Sequence, residues 1–486
     1  MIDTQAIRSK IFDLAMRGQL TEQLPEDGNA EELYQQILEE KQKLIKDGKI
    51  KKQKPLPEIS NEEIPFDIPA NWKWVRLSDL VYLTSGNQYE EVLNGLPYVK
   101  VADMNLDVNA FEIITSSRFA SPENIGRIPT SSIIFPKRGG AISTNKKRIV
   151  RTTEIYIDSN TMAMTMFFPS ILLYAKIWFD SIDLASVQTG TSIPQINNKD
   201  IYPLLFPLPP LAEQKRIVEK IEQAFSILDT IDELQAQYAD NLTVLKSKLI
   251  DAAIQGKLTE HLPEDGTAEE DLKEIEEKKM EIESSGVLKG RKKKKVLPLL
   301  NVNFPFEIPS SWKWIRLNSV VEIFGRIGFR GYTKNDIVER GQGAISLSPS
   351  NITKSGKITY ENCTFLSWDK YNESPEIMVE KDDVILVKTG SSYGKCAIVK
   401  SLPEKATINP QLAILKYVLC DRNYLHTVLI SDMAHKQYEE FVIGAATPTF
   451  SQENLANFLL PLPPLAEQKR IIQKLDEILP LCERLK

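Results

Sequence analysis

From Ala212 to Gly256 nothing in the chain breaks a helix. Within that stretch Ile217, Ile221, Ala224, Leu228, Ile231, Gln235, Tyr238, Leu242, Leu245, Leu249 and Ala252 recur in strict 4,3 alternation. So narrow an apolar stripe predicts a coiled-coil seam with one polar interruption, rather than the wider face of a helix lying on a core. Pro209 and Pro210 stand at its start, where missing N–H groups cost little, and Gly256 supplies a stop. At ~1.5 Å per residue the helix is on the order of 65 Å long, and such a seam needs a partner. The chain supplies one in two pieces. Leu465 to Lys486 repeats Leu211 to Asp232, placing Ile471, Leu475, Ile478, Cys482 and Leu485 on the seam. Met1 to Gly18 repeats Ala239 to Gly256, with Ile7, Ile11 and Leu14 in the same positions. The expectation is an antiparallel pair, the unbroken central helix against a second helix assembled from both chain ends. Pro480 should disturb its last turns, the termini should nearly meet, and a pseudo-two-fold axis should lie between the helices.

Strand-like patterning brackets the regions between these helices. Pro65 to Leu77 (PFDIPANWKWVRL) matches Pro305 to Leu317 (PFEIPSSWKWIRL), and Pro207 to Ile217 is identical to Pro461 to Ile471 (PLPPLAEQKRI). The tryptophans Trp72, Trp74, Trp312 and Trp314 read as packing residues where strands lead into globular domains. Between these markers the copies diverge into short strands bounded by Gly, Pro, Asn and Ser. A second repeated pair, Ser9 to Gly28 and Ser247 to Gly266, ends in the turns LTEQLPEDG and LTEHLPEDG. Short charged helices follow at 30–46 and 268–284, with Asn29 and Glu32, and Thr267 and Glu270, placed as capping boxes. The basic runs after them, Lys49 to Lys54 and Gly290 to Lys295, read as solvated tethers, with phosphate contact the alternative. Self-similarity of this period points to duplicated domains on a shared frame. The predicted fold is α+β, with two mixed α/β domains separated by a long antiparallel two-helix coiled coil in a pseudo-two-fold circular repeat. The predicted segments are a helical region and linker at 1–70, a variable domain at 71–208, a central region with the long helix at 209–300, a second variable domain at 301–462 and a terminal helix at 463–486.

Composition narrows the function classes. At 486 residues the chain exceeds one core, and 42% hydrophobic with 26% charged residues is ordinary for a globular protein. No run approaches the ~18 apolar residues of a membrane span, and MIDTQAIRSK lacks the apolar segment of a signal peptide. The expected location is cytoplasmic, without a membrane partner. Cys363, Cys396, Cys420 and Cys482 are scattered, and with only His261, His426 and His435 beside them no metal site is expected. A net charge of −6 means that any nucleic-acid surface is a local patch.

One such patch is plain. Lys137, Arg138, Lys146, Lys147, Arg148 and Arg151 fall in a stretch that contains no acid. The second variable domain offers Arg326, Arg330, Lys334, Lys388 and Lys395, the first three among Gly325, Gly328 and Gly331. Each domain also has an apolar strand running into Lys-x-Gly, at Lys137 to Gly139 and Lys388 to Gly390. Glycine there admits close approach of a partner, lysine holds phosphates and arginine reads guanine edges. Lys100, in the segment Tyr98 to Asn105, completes the candidates. No P-loop, HExxH or zinc-deaminase signature is present, and PLPP lacks the polar residue of an adenine-methyltransferase motif. No catalytic residue and no cofactor are therefore expected. The alternatives are a standalone methyltransferase or nuclease with its own active site, and a coiled-coil adaptor.

The doubled PLPPLAEQKRI, the long helix after it, WKWVRL and WKWIRL, GRIGFRGYTKNDIV (Gly325 to Val338) and LPYVKVADMN (Leu96 to Asn105) together resemble the specificity subunit of type I restriction-modification systems across essentially the whole chain. The resemblance implies two target recognition domains, each binding one half of a bipartite, asymmetric double-stranded DNA sequence. It also implies helical regions that space them and dock methyltransferase subunits, two expected. Those in turn recruit nuclease-translocase subunits, again two expected. Adenine methylation from S-adenosylmethionine and ATP-driven cleavage would belong to those partners. Under the expected pseudo-two-fold symmetry the half-sites lie on opposite strands, with centres about one helical turn, ~34 Å, apart.

Overall fold

In this computed structural model the described residues are 1–189, 193–288, 294–300, 302–326, 331–444 and 447–484. They form two compact units, Met1–Ala236 and Gln237–Lys486. The division falls inside a single 44-residue helix, Leu211–Ile254.

In the first unit a four-stranded antiparallel sheet runs in the order Val81–Ser85, Thr161–Met166, Ser132–Pro136, Arg148–Val150. Both inner strands are buried at every position, which is why they read as continuous apolar runs rather than alternating ones. Their alternate residues serve different cores. Ile133 and Phe135 join the helix Leu172–Asp180 and the tryptophan-bearing frame, while Ile134 and Ala163 face a smaller cluster with Val99 and Met104. A second sheet pairs Leu96–Val99 with Phe119–Ala120 antiparallel and with Tyr156–Ile157 parallel.

The second unit repeats the plan with a larger insert. Glu322–Phe324, Leu412–Lys416, Val384–Val387 and Cys396–Ile398 make the four-stranded sheet. Val384 and Leu386 point to one core, Ile385 and Val387 to the other, as the two-residue period of a strand requires. The companion sheet has five strands, in the order Ile337–Val338, Thr364–Ser367, Gly343–Leu347, Ala406–Ile408, Met378–Val379.

The helices pair antiparallel within each unit. The N-terminal helix Thr4–Met16 descends along the first part of the long helix, with Thr4 donating to Asp232, Arg8 paired to Asp229 at 2.7 Å, and the Phe12 and Phe225 rings 5.1 Å apart. In the second unit the helix Leu465–Arg484 runs against the later part, with Lys246 paired to Glu483 at 2.9 Å. Ile217, Ile221, Leu228, Leu242, Ile471, Leu475 and Cys482 are buried, and Ile11, Ile231, Leu249 and Ile478 are half-buried. Other expected seam residues are not covered: Ile7 is 39% exposed, Tyr238 42% and Leu245 43%. The described partner helices reach only to Gln235 in one unit, through Ile2, and to Lys246 in the other, which leaves Tyr238 and Leu245 uncovered. Along the N-terminal helix Arg8 and Phe12 make the contacts, and Ile7 is turned to solvent. Leu485 lies outside the described residues. Pro480 does not end its helix, which continues to Arg484; the exposed position lets water take the carbonyl that the missing N–H frees. Thr267 and Glu270 close a capping box, whereas Asn29 caps its helix through Glu31 and Glu32 N–H without one. Among the described residues no helix is long and apolar enough to cross a membrane, and no group of side chains could hold a metal ion.

Candidate nucleic-acid interface

The motifs repeated in sequence meet each other in space. Lys73–Arg76, from WKWVRL, pairs antiparallel with Leu205–Leu208, just ahead of the long helix, in the register Lys73 to Leu208. Lys313–Arg316 and Leu459–Leu462 repeat the pairing with Lys313 opposite Leu462. Each variable insert therefore leaves the frame and returns to it side by side.

The LAEQKR segment explains itself residue by residue. Glu213, fully buried on the first turn of the long helix, accepts from the Trp72 indole at 2.7 Å, Gln23 at 2.5 Å and Thr21 at 3.1 Å. Burial raises its pKa above the usual carboxylate value against the pull of those three donors. Glu467 repeats the arrangement with Trp312 at 2.8 Å and Thr259 at 3.2 Å, and His261 stands where the first unit has Gln23, 2.7 Å from the carboxylate. Gln214 and Gln468 donate back to Pro209 and Pro463, while Tyr174 and Tyr424 donate to Pro207 and Pro461. Arg216 clamps Asp27 of the LPEDG turn, as Arg470 clamps Asp265. These arginines hold both aspartates below the usual carboxylate range. Gly18, at φ +66°, completes the closure, since a Cβ there would lie 2.4 Å from Pro69, and Gly256 stands in the same relation to Pro309. Sequence reasoning read these motifs as frame without seeing that they form a polar latch. The signal was the glutamate placed after paired prolines and matched twice to a tryptophan.

Above each latch the four-stranded sheet ends in the Lys-x-Gly turn. In the first unit Lys137 N–H donates to Asn160, Gly139 N–H to Pro194, and Ile196 N–H to Lys137. In the second, Lys388 N–H donates to Gln411, Gly390 N–H to Pro448, and Phe450 N–H to Lys388. Both glycines have positive φ, +73° and +99°, the backbone region that glycine adopts freely. The two turns are equivalent bond for bond although their sequences differ.

The candidate basic residues divide sharply. Arg138, Arg151 and Lys334 are exposed, and Lys100, Lys137, Lys146, Lys388 and Lys395 are half-buried. Lys100 is paired to Glu91 at 2.7 Å, Arg151 to Glu112 at 2.9 Å, and Lys146 donates to Asn105. Lys395 makes a long bond to the Ile352 carbonyl. Burial lowers the pKa of Lys137, helped by the Arg138 charge, and of Lys388.

Three of the candidates make their bonds inside the fold. Lys147 is 1% exposed, its ammonium bound to Asn145 and the Ile182 carbonyl and lying over the Phe179 ring, and burial pushes its pKa down to about 8. It is a core lysine. Arg148 spends its guanidinium on the Lys147 and Met104 carbonyls. Arg326, 4% exposed, donates to Ile408 and Thr407 across the sheet. Arg326 is thus a buried arginine, and Arg148 is half-buried. Arg330 lies outside the described residues.

Comparison with known proteins defines the class. Residues 309–484 match the family model described as the type I restriction modification DNA specificity domain. Over 99% of its length the chain is 26% identical to the type I restriction enzyme EcoAI specificity subunit of Escherichia coli, covering 90% of that protein. It matches the EcoEI specificity subunit of the same organism at 26% identity over the same shares. In a solved structure described as showing complex assembly and conformational transition of the type I R-M system, one chain shares the fold at a TM-score of 0.55. The match covers 87% of this chain and 93% of that one, at 20% identity. The chain thus carries a DNA specificity domain. Over nearly its whole length it is similar to type I restriction enzyme specificity subunits.

Proposed function

We propose that this chain is the sequence-reading, non-catalytic subunit of a type I restriction-modification complex. Its variable domains, at 71–208 and 301–462, each read one half of a bipartite, asymmetric DNA target. The helices act as the spacer between those domains and as the platform for methyltransferase subunits, two in number, which bring two nuclease-translocase subunits. The observation that carries this reading is the doubled latch, identical in bonding, beneath turns that differ in sequence. A frame kept constant around two unlike surfaces is what an asymmetric address requires.

The test is to express the chain with its methyltransferase partners and sequence the methylated adenines. One motif with two unlike halves and a fixed spacer is expected; a single unbroken motif overturns the bipartite reading. In parallel, the purified chain with DNA, magnesium and S-adenosylmethionine should neither cleave nor methylate. Turnover abolished by one carboxylate substitution would instead establish a standalone enzyme.

A further inference from the structure

The paired Lys-x-Gly turns place three side chains of each unit in one row. Arg138 lies directly opposite Gln195, and Gln195 directly opposite Thr189, across adjacent antiparallel strands. In the second unit the same bridges join Thr389 to Thr449 and Thr449 to Ile443. Residues directly opposite one another present their side chains on the same face. With ~4.8 Å between strands the row spans about 10 Å, close to three base-pair steps at ~3.4 Å each. A small β-ribbon also fits the major groove.

The rows are solvent-facing but chemically unlike. Arg138 is exposed and unpaired among the described residues, and Gln195 beside it is half-buried, its side-chain amide donating to Asn197. Thr189, at the end of the row, bonds Asp200 and the Gln195 carbonyl. In the other unit the Thr389 and Thr449 hydroxyls bond each other at 2.7 Å, and each side chain also carries a methyl group for apolar contact. Ile443 completes that row 74% exposed.

We propose that this row is the base-reading edge of each recognition domain, resting on the DNA-reading function above. Arg138 and Gln195 select guanine and adenine through paired hydrogen bonds to O6 and N7, and to N6 and N7. Thr389, Thr449 and Ile443 select thymine through its 5-methyl group. Three of these five residues, Gln195, Thr449 and Ile443, come from a loop far along the chain from the basic turn, and four carry no charge difference that a count of bases would detect.

The experiment uses the complex of this chain with its methyltransferase partners and reads methylation motifs. Arg138→Ala should lose about ten- to a hundred-fold of guanine discrimination at one position of one half-site and leave the other half-site unchanged. Replacing thymine by deoxyuridine in the other half-site, which alters no residue, should weaken binding by about fourfold for each methyl contact. Ile443→Ala should abolish the effect of deoxyuridine at one position. Should Arg138→Ala fail to fold, the deoxyuridine series on the unaltered complex decides. Unaltered complex with no defined motif would overturn DNA reading itself. A defined motif, unmoved by Arg138→Ala and indifferent to deoxyuridine, would overturn the row alone.

Discussion

Trp72 donates its indole N–H to the fully buried carboxylate of Glu213 at 2.7 Å, tying the first strand of the variable insert to the first turn of the long helix. Removing the acceptor strands the buried Trp72 indole and the half-buried Thr21 hydroxyl. Glu213→Ala should therefore lose about 1–3 kcal/mol of unfolding free energy in urea, and Glu213→Gln, which keeps an acceptor for the indole, distinctly less. Equal stability of the alanine variant and the parent would mean that the latch is not a stabilising contact.

Gly18 and Gly28 both have positive φ, but a Cβ meets Pro69 only at Gly18, with nothing within 4 Å at Gly28. Gly28→Ala should cost about 1–3 kcal/mol, the conformational penalty alone of a backbone at φ +72°, ψ −147°. Gly18→Ala should cost clearly more, because Pro69 must also move. Thermal unfolding of the two variants separates them, and a reversed order would contradict the packing.

Lys147 and its neighbour Lys146 should behave oppositely. Lys146→Ala should weaken DNA binding and reduce the salt slope by about 0.9, the value of one lost phosphate contact, whereas Lys147→Met should change neither. Stability gives the pH signature. The buried Lys147 releases its proton near pH 8, while the unfolded chain holds it to about 10.4. Between those values the unfolded state binds more protons, so this lysine's contribution to stability rises with pH. Urea unfolding at pH 7 and pH 10 should show that rise in the parent and its loss in Lys147→Met.

The spacer prediction concerns length. Deleting seven residues from the long helix and seven from its partner positions removes about 10 Å, or about three base pairs at ~3.4 Å each. Methylation motifs should then show a shorter spacer between unchanged half-sites. Retained binding at the original spacing would refute the proposal that the helices act as the spacer.

Much of the frame was legible because its signals are local and repeated. The 4,3 stripe gave the long helix, the tryptophan motifs gave the bracketing strands, and Thr267 with Glu270 gave a true cap. Tyr238 and Leu245 misled because a stripe reports which face could be covered and not how far the covering helix extends. The basic run misled for a related reason. Charge along a sequence does not say which side of a strand each residue takes, and Lys147, just ahead of the strand Arg148–Val150, turns inward onto Phe179. Gln195 and Thr449 were invisible because their equivalence lies in backbone bonding to a distant turn and not in their identities.

The four-residue pairings at Lys73–Arg76 with Leu205–Leu208, and at Lys313–Arg316 with Leu459–Leu462, carry an evolutionary consequence. Because the chain departs and returns through adjacent strands, the two ends of each insert reach the frame side by side. What lies between differs, with a five-stranded companion sheet in the second unit and a three-stranded one in the first, while the tryptophan–glutamate bond of the latch is the same in both. Each insert is thus joined to its frame through one pair of adjacent strands, which makes it a segment of chain that can be exchanged while its frame keeps the same bonds.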